Sequence, residues 1–122
     1  MFKIVVLAGA MLTLSVGAAL SADMVQIKTE AEFRKVIVGK KMTHEWDGYM
    51  MFQADNQTSG TYKGMKIGGI WTWTGDTFCR NMLLDGKNFG YDCRTIAVKG
   101  NTVTITRKAG KGKPFDLTIA DK

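Results

Sequence analysis

The sequence predicts a mainly β fold, a small antiparallel up-and-down barrel or sandwich of about seven or eight strands with one short N-terminal helix. Three observations carry that expectation. From Lys41 onward, apolar and polar residues alternate with period two, as they do on a sheet with one buried face. Turn pieces such as Gly75-Asp76, Asp85-Gly86 and Gly100-Asn101 interrupt the alternation at short intervals. The resulting connections are too short for crossover helices, which excludes a parallel α/β sheet. A meander of this length must close or fold over, because an open sheet would leave apolar surface and two edges in water.

Taken in order, residues 1–22 read as a secretory signal peptide. Met1-Phe2-Lys3 is a short basic start, residues 4–20 carry no charge, and Gly17-Ala18-Ala19-Leu20-Ser21-Ala22 is rich in small residues. Cleavage is expected after Ser21 or Ala22. The uncharged stretch is near the lower limit for spanning a ~30 Å hydrocarbon core, and no lipobox cysteine follows. Residues 23–122 then form a single domain, placed in the periplasm or secreted. Within it, Thr29-Glu30-Ala31-Glu32 is a capping box, with the Thr29 hydroxyl accepting from the Glu32 amide and Glu32 returning to the cap. Phe33, Val36 and Ile37 follow on one face and Gly39 supplies a left-handed end, giving a helix over about 30–38.

The strands follow the helix. Trp46, Gly48, Met50 and Phe52 alternate with Asp47, Tyr49, Met51 and Gln53, and Asp55-Asn56-Gln57 makes a turn. Residues 58–63, 67–74, 77–84, 89–98, 102–106 and 115–120 repeat the pattern. Export makes a disulfide the default state of Cys79 and Cys93. If Leu84 pairs with Asn88 across the intervening turn, the same register sets the two cysteines opposite each other. Closing that loop stabilises by ~3 kcal/mol in the chain-entropy account.

Charge and composition narrow the function. The chain has 17 Lys plus Arg against 11 Asp plus Glu. Without residues 1–22 the balance is 16 against 11, a net +5, and residues 57–122 carry all of the excess with 11 basic and five acidic side chains, against five and six in residues 23–56. Outside the cytoplasm, nucleic acid is not an expected partner; an anionic surface or acidic partner is. After the leader the chain holds one serine, Ser59, and one histidine, His44, with nothing to mark a Ser-His-acid arrangement. Alternation through His44-Glu45-Trp46-Asp47 converges two metal ligands at most, so no metal is expected. Neither Gly64-Met65-Lys66-Ile67-Gly68-Gly69 nor Lys108-Ala109-Gly110-Lys111-Gly112-Lys113 has the spacing and following helix of a phosphate loop, so no cofactor is expected either. The protein is expected not to be an enzyme.

Two candidate sites remain. Arg107, Lys108, Lys111 and Lys113 form a basic tip where an anion can dock, with a solvated hairpin loop as the plainer alternative. The large apolar side chains either fill a core or line a cavity, since eight strands enclose just enough space for side chains or one small ligand. Trp71 and Trp73 share a face, and with His44 and Tyr91, and with Arg80 and Arg94 flanking the disulfide, they make the candidate ligand set.

Gly60-Thr61-Tyr62-Lys63-Gly64, Gly69-Ile70-Trp71-Thr72-Trp73, Phe78-Cys79-Arg80, Tyr91-Asp92-Cys93 and Thr106-Arg107 with its Gly-Lys-Gly tip resemble a group of short exported bacterial proteins of uncharacterised function. The resemblance covers about residues 30–119. Some of that group bear the label dihydrodipicolinate reductase, but this chain has no nucleotide-binding βαβ unit and is too short for two domains. The layout is also similar to small lipocalin-like barrels and to exported barrel inhibitors of bacterial metalloproteases. The first likeness implies a ligand cavity, and the second implies a protease-binding segment at residues 22–28. The expectation is therefore a periplasmic or secreted binding module for an apolar or planar ligand or an envelope protein, with a protease inhibitor or a structural envelope protein as alternatives.

Overall fold

The computed structural model describes residues 24–120, so the expected leader and its expected cleavage site lie outside the described residues. The elements run β1 (Val25–Ile27), α1 (Glu30–Val36), β2 (Met42–Thr43), β3 (Gly48–Phe52), β4 (Thr58–Tyr62), β5 (Met65–Gly68), β6 (Trp71–Thr74), β7 (Thr77–Leu84), β8 (Lys87–Lys99), β9 (Thr102–Thr106) and β10 (Pro114–Ile119). All pairings are antiparallel. Eight strands close on themselves in the cycle β8-β9-β10-β2-β3-β4-β5-β7, with β7 returning to β8. This is the expected up-and-down barrel, and β1 and β6 extend it along β8 and β7.

The helix is not the first element. Val25-Gln26-Ile27 pairs with Val98-Ala97-Ile96 of β8, which buries Ile27 in the core. The expected helix begins as predicted, with the Thr29 hydroxyl accepting from the Glu32 amide at 3.2 Å. It ends at Val36, with Gly39 at φ +82° turning the chain towards β2. Phe33 and Ile37 are fully buried. The Phe33 ring packs against Phe52, Trp71, Trp73 and Phe78, with centroid distances of 6.0, 5.1, 5.2 and 5.1 Å. The amphipathic stripe of α1 thus closes one end of the barrel with an aromatic plug, and each such ring contributes about 1.5–3 kcal/mol of burial.

Two predicted strands are broken. The run from Lys41 to Gln53 divides into β2 and β3, leaving residues 44–47 as a connection. The run 67–74 divides into β5 and β6 around Gly69-Ile70, where Asn81 of β7 intrudes: its Oδ1 accepts from the Ile70 amide at 2.7 Å. The β7–β8 ladder shifts register at the same place, between Asn81 and Leu83. Cys79 therefore faces Cys93 as expected and the two form a disulfide, but Leu84 faces Lys87 rather than Asn88. The tip is a two-residue turn at Asp85-Gly86, both with positive φ, and the bulge takes up the extra residue.

Side chains directed inward record the depth of each position. On β7, Phe78 touches the plug, and Arg80, Met82 and Leu84 point into the barrel beyond it. On β3, Phe52 touches the plug and Met50 lies farther in. Gly60 of β4 faces Met50, and a Cβ there would fall on Tyr49 O. Only glycine allows β3 and β4 to approach this closely with φ at +137°. The interior is packed at the helix end and open at the other.

Candidate functional site

The open end of the barrel contains a cavity of about 480 Å³. Strand alternation brings its walls together from distant parts of the chain. Met50 and Ile67 form the inner wall with Met82 and Leu84 of β7, and Trp46, Tyr62, Phe89 and Phe115 supply aromatic surface. His44 stacks on Trp46 at 5.5 Å with 17° between the ring planes, and Tyr62 meets Trp46 edge-on at 5.1 Å. His44 Nδ1 is buried without a hydrogen-bond partner.

Three guanidiniums complete the lining: Arg80 from β7, Arg94 from β8, and Arg107 at the end of β9. Arg94 and Arg107 both approach the Phe115 ring, at 5.6 and 4.4 Å from its centroid. Arg94 is paired, its Nε lying 3.0 Å from Asp92 Oδ2. Asp92 Oδ2 also accepts from the Lys108 amide at 3.2 Å, which ties the tip to the barrel wall. Arg107 donates to Lys113 O at 3.1 Å. Arg80 is buried, forms no ion pair among the described residues, and donates one 3.5 Å hydrogen bond to Gly90 O.

These surroundings alter ionisation. Burial, then the neighbouring charge of Arg94, pushes Arg80 down to about 10 despite the attraction of Asp92, and it stays charged at neutral pH. Arg94 is lowered by burial, with Asp92 opposing. Burial raises Asp92, but the Lys108 amide and the hydrogen bond and charge of Arg94, helped by Arg80, outweigh it and hold the carboxyl below its usual range.

The predicted ligand residues separate. His44, Arg80 and Arg94 line the cavity. Trp71 and Trp73 lie against Phe33 at the plugged end, with the Trp71 indole donating to Gln53 O at 3.0 Å and the Trp73 indole to Gly75 O at 2.8 Å. Tyr91 faces outward beside the disulfide and is 68% exposed. The basic tip also divides: Arg107 turns into the cavity, while Lys108, Lys111 and Lys113 are exposed. Trp46, Tyr62, Phe89 and Phe115 are further lining residues outside that candidate set. The parity that places Trp46 with Met50 and Phe52 was visible, but which end the helix covers was not.

A second recess, lined by Thr43, His44, Glu45, Phe115, Asp116 and Thr118, shares two residues with the cavity and carries acidic groups instead. Among the described residues, no three His, Cys, Asp or Glu side chains gather as a metal site, and no helix is long and apolar enough to cross a membrane. Comparison of the chain with protein-family models, curated proteins and solved structures gives no match.

Proposed function

We propose that this protein is a non-enzymatic binding module of the periplasm or extracellular space that takes an apolar or planar small ligand into the open end of its barrel. The observation that carries the reading is the cavity of about 480 Å³, whose wall joins aromatic rings to a few convergent polar groups. That size and mixture suit a small-molecule site. The Cys79–Cys93 disulfide is compatible with an oxidising compartment. The protease-inhibitor alternative needs a free segment ahead of the helix, and Val25–Ile27 is instead paired with β8.

Trp46 provides the test, since it lines the cavity while Trp71 and Trp73 pack at the other end. Titration of the oxidised protein with the neutral dye N-phenyl-1-naphthylamine is expected to quench indole emission saturably, and Trp46→Phe is expected to remove most of that change. A linear response in the unaltered protein, or an undiminished one in Trp46→Phe, overturns the reading.

A further inference from the structure

We propose that the cavity selects an amphiphilic anion, a ligand whose apolar or planar body lies on the aromatic wall and whose single oxyanion headgroup is held by Arg80 with Arg94 and Arg107. This rests on the cavity reading above and adds the charge of its ligand. Three guanidiniums line the cavity, and one carboxylate, Asp92, reaches them. That carboxylate is already engaged by Arg94 Nε and the Lys108 amide. The cavity lining therefore has about two positive charges in excess, beside apolar walls that strengthen any charge interaction made there.

Arg80 is the decisive residue. Its side chain is directed inward from the middle of β7, and its whole residue is 8% exposed. Of the five donors a guanidinium carries, one is used, in a bond of 3.5 Å. A buried cation whose one neighbouring carboxylate, Asp92, is held by Arg94 and the Lys108 amide destabilises the fold in which it sits, and an apolar side chain of similar volume would serve the packing better. An oxyanion entering the cavity supplies what the fold withholds: a planar acceptor matched to the guanidinium fork. Arg94 and Arg107, placed over Phe115, bring their remaining donors to the same wall. The exposed ring of Phe89 leaves an apolar surface at the entrance, where the rest of the ligand can lie. A cation would meet like charge, and a neutral ligand would leave Arg80 unpaired.

The test is calorimetric titration of the oxidised protein with ligands that share one ring system: 2-naphthoate, 2-naphthyl phosphate, 2-naphthalenesulfonate, and neutral 2-naphthamide. At least one anion is expected to bind about tenfold or more tightly than the amide. In Arg80→Met the ratio is expected to fall to near one, with amide affinity changed less than about threefold and melting no lower than in the unaltered protein. Retention of the ratio in about 0.5 M NaCl is expected, because buried pairs are screened less than surface charge. A further preference for the phosphate identifies a dianionic headgroup, and equal binding of the three anions identifies any oxyanion; both support the proposal. Equal binding of amide and anions, or a ratio that survives Arg80→Met, overturns it while leaving the neutral-dye result standing. Failure of every naphthyl ligand and of the neutral dye removes the cavity reading itself.

Discussion

At the scale of single residues, the open end of the barrel is governed by an imbalance between Asp92 and its cationic neighbours. Asp92 accepts from Arg94 and from the Lys108 amide, and these contacts outweigh the burial that opposes its ionisation. Its folded-state pKa is below the ordinary value, so between the two values the unfolded chain binds more protons. Its stabilising effect is therefore complete above about pH 4 and is lost as pH falls through the folded value. Asp92→Asn is expected to lower stability by about 1–2 kcal/mol near neutral pH, since it leaves three neighbouring guanidiniums with no carboxylate partner. The gap between the melting temperatures of variant and parent should close as pH is lowered from 6 to about 2. A constant gap would mean that the side chain acts through packing instead. Arg80 has the opposite sign: burial and the neighbouring charge of Arg94 disfavour its charged form in the fold, with Asp92 opposing them.

At the scale of elements, α1 matters more than its two turns suggest. It is too short to be stable alone, and its Thr29 cap holds its start while tertiary packing holds the rest. That packing rests on Phe33, which touches four aromatic rings from β3, β6 and β7. Phe33→Ala is expected to cost about 3–5 kcal/mol, measured by urea unfolding, because the plug leaves a void among rings that cannot collapse together. A loss below about 1 kcal/mol would show that the barrel does not depend on the plug. The β7–β8 hairpin shows how a local irregularity reconciles two registers. The bulge beside Asn81 lets Cys79 and Cys93 keep their pairing while the two-residue turn at Asp85-Gly86 keeps its own. Beyond the bulge, Met82 and Leu84 still reach the cavity.

At the scale of the whole molecule, two kinds of positive charge have to be separated. Lys108, Lys111 and Lys113 are exposed and act through a screened field, whereas Arg80, Arg94 and Arg107 act by contact within the barrel. Replacing the three lysines with alanine is expected to shorten retention on a cation exchanger at low salt and to leave the anion-to-amide ratio of the cavity within about twofold. A collapse of that ratio would show that the tip, rather than the cavity arginines, selects the ligand.

Neighbouring residues and short-range geometry were enough to fix the alternation around Trp46, Met50 and Phe52, the turns at Gly75-Asp76, Asp85-Gly86 and Gly100-Asn101, the helix start and the cysteine pair, but not the breaks at residues 44–47 and at Gly69-Ile70. Trp46, Met50 and Phe52 read as one face, and they lie on the inside. Alternation states which side of a sheet a residue faces, but it does not state how deep in a barrel that residue lies. Trp71 and Trp73 were candidates for a ligand wall and became part of the plug, because the docking of α1 is a long-range event that decides which end is closed. The same closure brought Trp46, Tyr62, Arg80, Arg94, Arg107 and Phe115 around one space. They come from six separate stretches of chain, and only the cyclic strand order made them neighbours; the cavity and its unbalanced charge are properties of that closure.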